Sequence, residues 1–164
     1  MFKLKPIEKT SIPRAIEKAE RYRLLNEPVE AESICRDVLE VDSTNQKALV
    51  VLLLAITDQF ESGCPVSEAQ SILPRLQHEY NKAYYGGIIC ERRAKALMHM
   101  GVAGSSFVAY DWLMQAIRLY EKAESIRPPE NDDAILRWNT CVRILERNPE
   151  LKPSFDERIE LPLE

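Results

Sequence analysis

Only 5 of the 164 residues are glycine, and no phosphate-cradling loop can be written from them. Histidine is scarcer: His78 and His99 are the full set, and His78-Glu79 lacks the second histidine of an H-E-x-x-H zinc site. No two of the four cysteines, Cys35, Cys64, Cys90 and Cys141, form a C-x-x-C pair, so the paired-thiol zinc and redox motifs are missing. The most apolar stretch, Ala48 to Ile56, falls far short of the about 20 apolar residues of a membrane span. Basic excess is absent as well. The 22 Lys and Arg face 26 Asp and Glu, and the net charge of −4 disfavours generic nucleic-acid binding.

What is present is a soluble-domain composition: 45% hydrophobic and 29% charged residues, which excludes intrinsic disorder for most of the chain. The length fits one domain or a short array of repeats, with enough core to fold without disulfides or metals. Met1 to Lys9 contains no apolar stretch of signal-peptide type. Reduced thiols and a cytoplasmic location are therefore expected. Cys64 lies in a loop and is the thiol expected to be most exposed.

From Ser11 to Arg147 the pattern is helical, and nothing alternates like a strand. The spacing predicts seven helices. The first starts near Ser11, its expected cap, and fades around Leu25. The second runs from about Pro28 to Val41, and Asp42-Ser43-Thr44-Asn45 supplies a turn and the next cap. The third, about Gln46 to Glu61, is apolar around most of its circumference and belongs in the middle of a stack. The fourth reaches about Tyr80, kinked or interrupted by Pro74. The fifth covers about Asn81 to Met100. The sixth, about Ser106 to Arg127, is expected to be the longest, and Asn131 caps the seventh. Residues 1–10 read as an N-terminal extension, 11–147 as the helical domain, and 148–164 as an extended tail punctuated by Pro149, Pro153 and Pro162.

Catalytic chemistry is hard to assemble from these residues. Cys90 and His99 stand about 13 Å apart along one helix, too far for a hydrogen bond. The carboxylates are scattered over polar faces. Trp112, Trp138, Tyr84, Tyr110 and Tyr120 fall at helical spacing, where packing between helices is the default role. Gly86-Gly87 sits inside the fifth helix, where each glycine costs about 1 kcal/mol relative to alanine, and close helix packing is the favoured reason. No enzyme activity, cofactor or metal is expected.

The helices also repeat. Helix six carries Ala116, Tyr120, Ala123 and Pro128, and helix two follows a similar spacing with Ala31, Cys35, Val38, Leu39 and Ser43. Ala19 and Tyr22 take the small and aromatic slots of helix one, while Ala48, Ala83 and Ala134 open the next units. Residues 12–147 thus resemble a tetratricopeptide repeat protein, as three helix pairs and a closing helix. The resemblance implies an all-α fold, a right-handed superhelix of stacked antiparallel helix pairs. There are departures. The Ala83 to Ala134 interval well exceeds the family's about 34 residues, and Pro74 falls inside the second helix of the second unit. A plain helical bundle is the alternative architecture.

In this family the first helix of each unit lines a concave groove. The equivalent rows here are Ile16, Val50, Tyr85 and Leu136; then Glu20, Leu54, Ile89 and Thr140; then Arg23, Thr57, Arg92 and Arg143, with Arg93 following Arg92. An arginine row beside an apolar row suits a peptide or protein segment of acidic character. The expected groove residues are Arg23, Val50, Leu54, Tyr85, Ile89, Arg92, Arg93, Thr140 and Arg143. The competing account pairs these arginines with acids on the second helices. Ile16 and Glu20 stand where the family's chaperone-tail clamp begins, so that activity is not implied. The expected function is a non-catalytic adaptor or scaffold binding protein, with no nucleic-acid or membrane partner. The alternatives are a structural subunit forming homo-oligomers and a metabolite-binding or enzymatic helical domain. Ile159 to Leu163, acidic and apolar, is expected to dock on the chain's own helices or on a second copy.

Overall fold

The computed structural model describes residues 1–154. Among them are seven α-helices and no strand: α1 Ile12–Leu24, α2 Pro28–Val41, α3 Gln46–Thr57, α4 Val66–Gln70, α5 Glu79–Met100, α6 Ser105–Ser125 and α7 Asp133–Arg147. Among the 3-10 turns, Lys9–Ser11 leads into α1, Phe60–Ser62 joins α3 to α4, and Leu73–Arg75 joins α4 to α5. The expected all-α class and the helix number hold. None of these helices is long and apolar enough to cross a membrane.

Local chemistry explains most of the boundaries. Asn45 accepts a hydrogen bond from the Ala48 amide at 2.9 Å and so caps α3 as expected. Gly101, at φ 61°, takes the left-handed conformation that closes α5, which a Cβ would disfavour. Other expectations need correction. The Ser11 side chain makes no capping bond, and Asp132 rather than Asn131 is the N-cap of α7. Asn131 instead accepts from the Asp133 amide at 3.0 Å. The fourth helix is only one turn long. Pro74 follows Gln70 by four residues, so its ring would meet the Gln70 carbonyl in a continued helix. The chain therefore leaves α4 at Gln70 and re-forms as the Leu73–Arg75 turn, and Tyr80 belongs to α5. The third helix stops at Thr57, short of Glu61, and α5 with 22 residues exceeds α6 with 21.

Each long helix packs on the next: α1 on α2, α2 on α3, and α5 on α6 most extensively, then α6 on α7. Alternate helices also touch, α1 with α3 and α3 with α5. The apolar α3 buries residues on nearly every side, from Ala48 to Thr57, and contacts α1, α2, α4 and α5. Two large hydrophobic cores result, beside a small third cluster of Ala83, Ala123 and Ala134. One joins α1 to α3 with Phe60, Ile72 and Leu76; the other joins α5, α6 and α7, and half-buried Leu54 and Tyr85 pack against both. Leu151, beyond α7, is buried in the second core. The expected docking of residues 159–163 lies outside the described residues. Residues 1–6 are exposed, and Ile7 packs on the first core.

The thiols follow this burial. Cys35, Cys90 and Cys141 are buried, and Cys64 is the half-exposed one. Desolvation pushes Cys35 and Cys141 up to about 12 and Cys90 up to about 11 from an ordinary 9.0. Burial, then Glu68, pushes Cys64 upward as well. An aromatic disulfide reagent at pH 8 should thus modify one thiol per native chain and four in denaturant. The raised values also fix a sign. Above about pH 9 the unfolded chain loses these thiol protons while the native chain keeps them, so stability falls as pH rises. Each buried thiol contributes up to about 1.4 kcal/mol per pH unit across that window. Urea midpoints, measured with reductant present, should drop between pH 8 and pH 10.5.

Candidate functional site

The candidate site is the face shared by α1, α3, α5 and α7, and two carboxylates organise it. Asp58 is the C-cap of α3, where the helix dipole repels an acid. Two guanidinium groups offset that. Arg23 of α1 donates from Nε to Asp58 Oδ2 at 2.7 Å and from Nη2 to Oδ1 at 3.2 Å, while Arg92 of α5 donates from Nη1 to Oδ1. All three side chains are 20–26% exposed, enough shielding for a charge-assisted pair to hold its geometry.

The second carboxylate, Glu91 of α5, is 0% exposed. Tyr120 of α6 donates its hydroxyl to Glu91 Oε2 at 2.7 Å. Lys95, one turn on, and Arg137 of α7 both donate to Oε1, Arg137 at 3.2 Å. Burial and then the Glu91 charge push the Tyr120 phenol far above its usual value. Burial pulls Arg137 down, but Glu91, Tyr120 and Tyr84 together outweigh it and the guanidinium is held more firmly charged. Each acid is thus shared by two cations, and the chain of contacts runs Arg23, Asp58, Arg92 across α1, α3 and α5, then Lys95, Glu91, Arg137 across α5 and α7.

Two hollows open beside this network. One of about 260 Å³ is lined by Asp58, Glu61, Arg92, Lys95, His99 and Arg137, among others. The other, about 220 Å³, is lined by Tyr84, Asp133, Leu136, Arg137 and Thr140. Arg137 borders both, so they adjoin. Tyr84 stacks on Tyr80 with centroids 5.7 Å apart and meets Tyr85 edge-on at 5.1 Å. The Tyr85 phenol is raised by burial first, then by Tyr84 and Asp133, with Arg23 opposing. Groups from both α1 and α7 therefore act on this one ring.

The expected groove residues divide. Arg23 and Arg92 converge, but through Asp58 rather than through Thr57, which is 4% exposed and back-bonds to the Leu54 carbonyl. The expected pairing of arginines with acids on second helices needs the same correction for Arg23 and Arg92, because their acid, Asp58, caps α3, one of the helices expected to line the groove. Val50, Leu54 and Tyr85 are half-buried and contribute apolar surface. Ile89 is 1% exposed and is core, not groove wall. Thr140 lines the smaller hollow and bonds the Leu136 carbonyl at 3.0 Å. Arg93 borders a different hollow with Cys64, Met100 and Trp112. Arg143 is exposed and lines neither hollow of this face.

Asp58, Glu91, Lys95 and Arg137 were not singled out by sequence reasoning. Glu91 carried a readable signal: it is an acid directly after Gly86-Gly87-Ile88-Ile89-Cys90, on the apolar side of its helix. Cys90 turns toward Gln115 of α6, and His99 pairs with Glu61 at 2.6 Å, so the two do not meet. Among the described residues no cluster of three or more His, Cys, Asp or Glu is placed to hold a metal ion. Comparison with protein-family models, curated proteins and solved structures found no match to this chain.

Proposed function

We propose that this chain is a non-catalytic protein-interaction module of tetratricopeptide type, a superhelix of helix pairs whose α1–α3–α5–α7 face takes an acidic, partly apolar segment of another protein. One observation carries the reading. Four cations on that face, Arg23, Arg92, Lys95 and Arg137, are fixed by only two carboxylates, Asp58 and Glu91. Fixed guanidinium forks lose little freedom when an acidic group arrives. Beside them Leu54, Tyr85 and Leu136 offer apolar surface, and Leu136 is 61% exposed.

The test uses a fluorescein-labelled peptide alternating leucine and glutamate, followed by anisotropy on the full chain. Saturable binding that weakens with salt is expected, with Tyr85→Ala costing about tenfold in affinity, the effect of losing a central aromatic anchor. Arg143→Gln should stay within about twofold, as an exposed charge outside both hollows. No saturable binding, or equal losses from both changes, contradicts the reading.

A second reading, self-association, has its own observation. Leu24, Leu25 and Val29, 88%, 62% and 60% exposed, crowd the α1–α2 turn, and neighbouring exposed apolar residues mark association surfaces. Light scattering over a concentration series, with Leu24→Ser as comparison, separates a dimer through this turn from a monomer.

A further inference from the structure

We infer that the larger hollow, between α3, α5 and α7, is a pocket for a doubly charged tetrahedral oxyanion, a phosphorylated side chain on the guest. The inference rests on the interaction reading above and names the group that the face selects. The first argument is charge. Arg92, Lys95 and Arg137 line the hollow, and Arg23 stands outside it and shares Asp58; against Asp58 and Glu91 these four leave two positive charges, of which Glu61 at the rim offsets one. A phosphoryl group carries about −1.5 to −2 at pH 7 and is drawn to that excess more strongly than a singly charged carboxylate.

Geometry is the second argument. Arg92, Lys95 and Arg137 all line the same space of about 260 Å³, which admits a phosphoryl group with several waters but no element of folded chain. Arg92 reaches Asp58 through Nη1, and Arg137 reaches Glu91 through Nη1. A guanidinium has five donors in a rigid fork, so each keeps further N–H groups for a second acceptor. The three oxygens of a phosphoryl group receive such forks from several directions at once, while a carboxylate offers two oxygens in a single plane.

Pre-organisation is the third. Glu91 is fully buried, and the Tyr120 hydroxyl holds its other oxygen. The carboxylate therefore acts as a fixed anchor beneath Lys95 and Arg137, not as a mobile competitor for them. Asp58 does the same for Arg92 and Arg23. The acid at the mouth, Glu61, lies 2.6 Å from His99 and is more than half exposed, where solvent screens its charge.

Full-length chain is titrated with inorganic phosphate at pH 7.5 and constant ionic strength, following the arginine Nε–Hε resonances. Saturable shifts at Arg92 and Arg137 are expected with phosphate and with sulfate, and not with acetate. Equal, unsaturating shifts with all three overturn the pocket. A labelled phosphoserine peptide is then compared with its glutamate counterpart. The phosphopeptide should bind at least about tenfold tighter, a preference that Lys95→Gln should largely erase. Arg92→Lys, which keeps the charge but loses the fork, should reduce it too. Equal affinity for the two peptides overturns the pocket and leaves the groove reading standing. Saturable phosphate shifts with neither peptide bound support the pocket and overturn the groove.

Discussion

Changing Lys95 and Arg137 together to methionine is expected to lower unfolding free energy by about 3–5 kcal/mol, the cost of leaving a buried charge without its partners. Glu91 has no solvent exposure to fall back on. With both cations gone, the Tyr120 hydroxyl would be the sole remaining donor among the side-chain contacts described for Glu91. The triple change that adds Glu91→Gln should recover most of the loss, because a neutral amide keeps an acceptor for Tyr120 without a bare charge. Urea denaturation of the three proteins measures this directly. A loss below about 1 kcal/mol for the double change, a magnitude typical of exposed ion pairs, would contradict the account of Glu91 as a buried anchor.

The adjacent glycines of α5 should respond with opposite signs. A Cβ at Gly87 would lie 2.5 Å from Cε1, 2.7 Å from Cδ1 and 2.9 Å from Cζ of Tyr120. That ring has no room to retreat, since it is 0% exposed and its hydroxyl is tied to Glu91. Gly87→Ala should gain about 1 kcal/mol of helix propensity and lose more to overpacking, which runs to about 3 kcal/mol and beyond. The loosened Tyr120–Glu91 contact would add to the loss. At Gly86 the nearest atoms are the Leu119 Cδ1 at 3.4 Å and the Leu73 Cδ1 at 3.7 Å, the far ends of flexible side chains. Gly86→Ala should therefore keep most of its propensity gain and raise the melting temperature. Two shifts of the same sign would show that the α5–α6 packing is not as described.

How much of this was readable beforehand depended on whether the signal was local. Helix positions and most ends were, because periodicity, the Asp42-Ser43-Thr44-Asn45 turn and the Asn45 cap act within a few residues. The packing role of Gly86-Gly87 was readable too, since two glycines inside a helix need a close neighbour to justify them. Pro74 was recognised as a breaker, but its effect reached back to Gln70, and the one-turn α4 depends on that reach. The arginine row was half legible. Repeat alignment placed Arg23 and Arg92 on one side, yet their meeting point, Asp58, stands one position past the aligned Thr57. The Glu91–Arg137 contact joins residues 46 apart in a pattern no periodicity encodes, and only the odd placement of Glu91 hinted at it. Ile89 was misassigned because its stripe turns inward where α5 packs into the cores.

The central claim is that the odd-numbered helices present a receptive face, and peptide-induced chemical-shift mapping on the isotopically labelled full chain tests it most directly. On adding the leucine–glutamate peptide, the account predicts shifts concentrated at Leu54, Tyr85, Arg92, Lys95, Leu136 and Arg137. Shifts confined to α2 and α6, or none at saturating peptide, would contradict it.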